Sequence, residues 1–138
     1  VFWRAIPAKQ FDPDLHGFRV STFLENKQNI QYIYNQIIKS NKDAKVIFTV
    51  SPVPLVATFR DNSCITSNSV SKSILRSAVD EFYRENNGHK NDSLFYWPSF
   101  EIVKEFFDKP YKADNRHIKK ECVDLIMKSF EKFYTIGD

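Results

Sequence analysis

Apolar residues recur along this chain in helical and in strand-like patterns, and the patterns alternate. Residues 1–20 carry no helical pattern and are predicted to form an extended loop. A helix is then expected up to about Ser40, with Ser21 or Thr22 as its N-cap. The side chains predicted to point inward from this helix are Phe23, Ile30, Ile33 and Ile37.

Two short apolar runs predict strands. Residues 45–51 form a continuous run rich in β-branched side chains, and Pro52 ends it. Residues 94–97 form a second run, which ends at Pro98. Because neither run alternates with polar residues, both indicate strands covered on two faces, as in a parallel sheet.

Three more helices follow from the same reasoning. After a loop at 52–67, Asn68 or Ser69 is predicted to cap a helix that ends at the Asn86-Asn87-Gly88 sequence. A short helix at 100–107 and a last helix at 114–134 complete the pattern. In the helix capped by Asn68 or Ser69, the side chains expected to point inward are Val70, Ile74, Leu75, Ala78 and Phe82. In the last helix they are Ile118, Cys122, Leu125, Ile126 and Phe130.

Helices that alternate with buried strands predict an α/β fold with a parallel sheet, in a single domain spanning residues 1–138. Right-handed crossovers would bring the strand ends at Ser51 and Trp97 to one edge of the sheet. Ligand sites in open α/β sheets lie at that edge. The loop at 114–117 is expected to reach it.

Composition excludes several classes of partner. The 20 basic and 17 acidic side chains are interspersed, so no basic face for nucleic acid is predicted, and no apolar run is long enough to span a membrane. Cys64 and Cys122 lie in unrelated contexts, which indicates no disulfide and a reducing, cytoplasmic compartment. His16 and His89 have no neighbouring ligand residues, so we expect neither a metal nor another cofactor.

The strongest candidate for chemistry is Asp114, followed three residues later by His117. In a Ser-His-Asp triad, the acid holds the imidazole Nδ1–H, and Nε2 takes a proton from the nucleophile. The alternative is an ordinary N-cap aspartate beside a surface histidine. No serine or cysteine occurs in a recognisable nucleophile setting, and Cys122 is expected in the core.

Weaker candidates lie after the first strand and around Asn68. Ser51 precedes a loop stiffened by two prolines, although it also suits a plain strand end. Asn68, Ser71 and Lys72 place an amide, a hydroxyl and a cation around a predicted helix N-terminus. Such a group can hold an anion or an oxyanion, although helix capping alone also explains Asn68.

Several sequence blocks in order resemble the C-terminal part of the GSCFA-domain family. The blocks are TVSPVPL at 49–55, Ala57-Thr58, Asn68, SKS at 71–73, Leu75-Arg76, YWPSFEI at 96–102, and DNRH at 114–117. The family is grouped with SGNH/GDSL-type esterases, which have a flavodoxin-like three-layer α/β/α sheet. The resemblance implies that Asp114 is the triad acid and His117 the base.

The same resemblance implies that part of the active site is missing from this chain. The family's serine comes from a Gly-Ser-Cys-Phe-Ala motif, which does not occur here, and neither do the Gly and Asn blocks of the oxyanion hole. The chain begins at Val1 without a methionine, so we expect an excerpt of a longer protein.

The expected function is the C-terminal segment of an esterase that acts on carbohydrate or other small-molecule O-acyl esters. The alternative is a non-catalytic domain that retains the fold and binds a glycan. Because the N-terminal strands of the family's sheet are absent, an exposed edge is expected. We predict that a homodimer contact or a missing N-terminal segment covers it.

Overall fold

Helices alternate with two short strands in the computed structural model, which describes residues 8–86 and 91–135. A single 3-10 turn at Ala8–Gln10 precedes the first helix. The elements are α1 (Phe23–Ser40), β1 (Val46–Phe48), α2 (Cys64–Glu85), β2 (Leu94–Tyr96), α3 (Ser99–Phe106) and α4 (Lys120–Tyr134). The predicted α/β class and its order of elements are therefore confirmed.

The two strands form a parallel pair, as the buried apolar runs predict. Val46 pairs with Leu94, and Phe48 pairs with Tyr96. Beyond the strands the two segments stay together, because the Trp97 amide donates to the Phe48 carbonyl at 2.8 Å. The carboxyl ends of β1 and β2 therefore share one edge. Within residues 8–86 and 91–135 the sheet has these two strands, so a larger three-layer sheet stays a prediction.

Helices cover both faces of this small sheet, because alternate strand residues point to opposite sides. Val46 of β1 belongs to a core cluster with α1 and α2, whereas its neighbour Ile47 packs with α3 and α4. Phe82 of α2 is fully buried, with 0% of its surface exposed. The buried members of the two clusters are Ile30, Tyr34, Val46, Ala78, Val79, Phe82 and Leu94 on one face, and Trp97, Val103 and Ile126 on the other.

Helix α1 begins where the sequence indicates. The Thr22 side chain accepts from the Glu25 amide, and the Glu25 carboxylate accepts from the Thr22 amide, which completes a capping box. The predicted inward face is wrong at two positions, because Ile33 is 50% exposed and Ile37 is also exposed. The buried residues of α1 are instead Ile30 and Tyr34, since α1 packs mainly against α2.

Helix α2 begins one turn before the predicted cap. Ser63 is the N-cap, and its hydroxyl accepts from the Thr66 amide at 3.1 Å. The prediction of Asn68 or Ser69 was wrong because the first turns of α2 carry no apolar stripe, which leaves the helical period undetectable. Asn68 lies inside the helix, where its side-chain oxygen accepts from the Leu55 amide at 3.0 Å.

The end of α2 agrees with the prediction as far as the structure describes it. Asn86 is the C-cap of the helix. Asn87, Gly88 and His89 lie outside the described residues. None of the helices in the described part of the chain is both long and apolar enough to cross a bilayer.

Helix α4 begins later than predicted, at Lys120 rather than at Asp114. Lys119 is its N-cap residue and makes no side-chain capping bond. Cys122 and Ile126 are buried as expected, but Leu125 is 53% exposed, so its predicted inward position is wrong. The residues before α4 form a closed loop instead of a helical turn.

Candidate functional site

The loop at 110–119 is held shut by backbone hydrogen bonds across its base. The Lys119 amide donates to the Pro110 carbonyl at 2.9 Å, and the Lys112 amide donates to the His117 carbonyl at 2.7 Å. At the tip, Asn115 has a φ of 51°, a left-handed conformation that asparagine tolerates better than most residues. The loop therefore presents its side chains from a fixed backbone.

The two oxygens of Asp114 have separate roles in this loop. Oδ1 accepts from the amides of Arg116 and His117, each at 3.0 Å, and so closes the turn. Oδ2 makes a short contact with the Nδ1 of His117. The bond to this imidazole, followed by the two amide bonds, holds the pKa of Asp114 well below its usual range. The carboxylate is therefore ionised while it orients the ring.

The imidazole of His117 has one nitrogen engaged and one available. Its side chain is 60% exposed, and within residues 8–86 and 91–135 no hydrogen bond to Nε2 is found. The hydrogen bond expected between Asp114 and His117 is present. The alternative of an N-cap aspartate is wrong, because Asp114 caps its own turn and not α4.

An open cleft of about 960 Å³ lies beside this loop. Tyr111 connects the loop to the segment that follows β1, because its hydroxyl donates to the Pro52 carbonyl at 3.1 Å. The lining comes from the segment after β1, the first half of α2, α3 and the 110–119 loop. The residues are Pro52, Pro54, Leu55, Val56, Cys64, Ile65, Asn68, Ser69, Lys72, Ser73, Arg76, Ser77, Phe100, Lys104, Tyr111, Asp114, Asn115 and Arg116.

The structure brings three of the sequence-predicted site residues to this cleft: Asn68, Lys72 and Asp114. His117 follows the lining residue Arg116 directly in the chain but is not itself part of the lining. The tip of the loop therefore lies in the wall, whereas the ring of His117 lies outside it.

The other two predicted residues take different positions. The carbonyl of Ser51 accepts from the Lys72 ammonium at 2.6 Å, and its hydroxyl accepts from the Val53 amide at 3.2 Å. Ser51 therefore supports the lining without belonging to it. Ser71 instead lines a separate cavity of about 90 Å³ beside Val20, so α2 does not bring it to the cleft.

Sequence reasoning missed the basic side chains that reach the cleft from α2 and α3. Arg76 binds the Glu101 carboxylate at 2.5 Å and lies 4.4 Å above the ring of Tyr96. The Tyr96 hydroxyl donates to both Glu101 oxygens, and burial raises its pKa, which keeps it protonated. Lys104 also lines the cleft. Only the fold brings these residues together, so no local sequence pattern indicates them.

The cleft contains hydroxyl and thiol groups, but none of them contacts His117 in the described part of the chain. Ser69, Ser73 and Ser77 line it, and the Cys64 thiol donates to the Leu55 carbonyl at 3.4 Å. Both cysteines are free. The described residues also contain no group of three or more His, Cys, Asp or Glu side chains that could hold a metal ion.

Comparison with known proteins and families gives one match. No curated protein and no solved structure matches this chain. A family model described as the GSCFA family matches residues 2–130, which includes the cleft and the 110–119 loop. Because the match spans most of its length, the chain belongs to the GSCFA family.

Proposed function

We propose that this chain is the C-terminal part of a serine esterase or acylhydrolase that acts on O-acyl esters. Asp114 is its orienting acid, His117 is its general base, and a residue outside these 138 supplies the nucleophilic serine. One observation carries the proposal: an ionised carboxylate holds Nδ1 of an imidazole whose Nε2 has no hydrogen bond in the described residues. An ester hydrolase needs its base in that state.

The proposed reaction has two steps. The serine oxygen attacks the ester carbonyl as Nε2 of His117 takes its proton, and the imidazolium returns that proton to the departing alcohol oxygen. This leaves an acyl-enzyme. Water, deprotonated by the same nitrogen, then attacks the acyl carbonyl, and the proton passes back to the serine oxygen as the acid leaves. Asp114 stabilises the imidazolium in both steps.

The exposure of the site supports a nucleophile supplied from elsewhere. The His117 side chain is 60% exposed, and the apolar side chains of Val56 and Ile65 at the cleft are strongly exposed. A segment that carries the serine would cover them and add strands to the sheet, in the three-layer arrangement of SGNH-type enzymes. A second copy of the chain is the other candidate for this cover.

We also propose a cytoplasmic location. Both cysteines are unpaired, and Cys64 is only partly buried. A partly accessible thiol agrees with a reducing compartment.

The experiment is hydrolysis of p-nitrophenyl acetate by the full protein that contains this chain. We expect His117→Ala to lower kcat/KM by about 10³-fold or more, because the general base is lost. The control is Ser71→Ala, which lies away from the cleft and should keep full activity. Unchanged turnover in His117→Ala would remove that residue from the mechanism. Glycan binding without any hydrolysis would favour the non-catalytic alternative.

A further inference from the structure

The cleft has a charge imbalance that the rest of the chain does not share. Overall, the chain has 20 basic and 17 acidic side chains, which are interspersed. The cleft is lined by four basic side chains and one carboxylate, that of Asp114. The basic residues are Lys72, Arg76, Lys104 and Arg116. Asp114 offsets one of these four charges, and its oxygens bond to His117 and to the turn amides rather than to a cleft cation.

Two of these four cations are already engaged. Arg76 forms an ion pair with Glu101 and packs on the Tyr96 ring, so its charge is largely compensated. Lys104 is exposed and lies 5.5 Å from the centre of the Phe100 ring. Like Lys104, the remaining two, Lys72 and Arg116, have no carboxylate within 4.0 Å among residues 8–86 and 91–135, but unlike Lys104 they are partly buried.

Lys72 is a partly buried cation with donors to spare. Its ammonium donates to the Ser51 carbonyl at 2.6 Å, which uses one of three N–H groups. Burial lowers the pKa of Lys72, because the ammonium is partly withdrawn from water and no carboxylate nearby compensates its charge. An anion beside this ammonium would remove that penalty.

Arg116 has an unsatisfied donor at the cleft wall. Its Nε is buried and has no hydrogen-bond partner in the described part of the chain. Leaving a buried donor unpaired is unfavourable, and more so for a charged group. The Asp114 carboxylate accepts from the Arg116 backbone amide, so the turn that orients His117 also positions this guanidinium. The guanidinium fork matches carboxylate and phosphate oxygens.

We propose that the cleft selects esters whose acyl-bearing unit also carries a carboxylate or phosphate group, bound by Arg116 and Lys72. The proposal rests on the esterase function above and names its substrate class: O-acyl esters that also carry an anionic group, such as acylated acidic sugars. A volume of about 960 Å³ lies in the range of small-molecule sites and leaves room for such an ester. A neutral ester would leave both cations unpaired.

Binding of the deacylated sugar tests this class independently of catalysis. We would titrate the full protein with D-glucuronate, glucose 6-phosphate and glucose by calorimetry at low salt. At least one of the two anionic sugars should bind about tenfold or more tightly than glucose, and added NaCl should weaken that binding. Comparing the first two probes distinguishes a carboxylate from a phosphate. Equal affinity for glucose, or no binding of either anion, would overturn the proposal.

Variants assign the binding to the two cations. Arg116→Gln and Lys72→Gln should each weaken binding of the preferred anion about tenfold to a hundredfold, as expected when a charged hydrogen bond is lost. Lys128→Gln, on the exposed side of α4, is the matched control and should have no effect. Arg116→Lys keeps the positive charge and serves as a second variant in case Arg116→Gln does not fold. It should bind better than Arg116→Gln.

The outcome also separates this proposal from the esterase function. Arg116→Gln that binds as well as Lys128→Gln would refute the substrate class, even if the protein hydrolyses esters. Anion-selective binding by a protein without hydrolysis would refute the esterase and leave the anion site standing.

Discussion

The two halves of α2 have different surroundings, although they belong to one continuous helix. Between Asn68 and Ser77, polar and basic side chains line the cleft. From Ala78 onward the helix enters the core, where Ala78, Val79 and Phe82 are buried against α1 and the sheet. One rigid element thus fixes the position of the cleft wall relative to the core.

This division explains which part of α2 the sequence predicts. Ala78 and Phe82 repeat at helical spacing because burial selects apolar side chains on one face. The residues of α2 before Val70 carry no such apolar stripe. The helical period is therefore hidden there, and the sequence places the start of the helix at Asn68 instead of Ser63. A functional surface is the place where pattern-based prediction is expected to fail.

The largest effect on stability is expected in the core half. Phe82→Ala should lower the free energy of unfolding by about 3–5 kcal/mol, because a fully buried aromatic ring leaves a cavity. Ser77→Ala, in the cleft half, is the control and should change it by less than about 0.5 kcal/mol. Urea denaturation of both variants measures the difference. Similar losses in the two would contradict a division between core and cleft.

A smaller effect tests where α2 begins. Ser63→Ala should destabilise the protein by about 1 kcal/mol, because the Thr66 amide loses its capping acceptor. Ser69→Ala should be close to neutral, since the helix already runs through that position. Thermal melts can rank the two variants. If Ser69→Ala were the more destabilising, the helix would start where the sequence alone suggested.

The smallest effect concerns the pH dependence of the 110–119 loop. The pKa of Asp114 is lowered in the folded chain from an ordinary value of 3.8. Its stabilising contribution is therefore fully present above the unfolded pKa and is lost as pH falls through the folded pKa.

The melting temperatures of wild type and Asp114→Ala should accordingly differ most above about pH 5, and the gap should narrow at more acidic pH. Lys112→Ala is the control, because it removes an exposed side chain of the same loop without removing a carboxylate. A gap that widens on acidification would show that Asp114 is not held as an anion in the folded state.

The sequence predicts the fold best where burial or capping leaves a local signal. The β1 and β2 runs, their parallel pairing and the Thr22 cap all follow from a few neighbouring residues. The predicted inward face of α1 is wrong at Ile33, because the exposure of this side chain depends on which elements pack against the helix.

The candidate site also has features that follow from the sequence and features that only the fold shows. The Asp114–His117 contact follows from their spacing, although that spacing also fits a helix cap. Only the structure distinguishes the two, because Oδ1 bonds to the amides of its own turn. The juxtaposition of Lys72 and Arg116 is invisible in the sequence, where they lie far apart.

The most direct test of the central claim is labelling of the full protein with a fluorophosphonate, which reacts with an activated serine. We expect mass spectrometry to locate the adduct on a serine outside these 138 residues, in a Gly-Ser-Cys-Phe-Ala motif. His117→Ala should slow labelling by about 10³-fold or more, because the base that activates the serine is gone. Labelling of His117→Ala at the wild-type rate, or an adduct on a serine of this chain, would contradict the proposed triad.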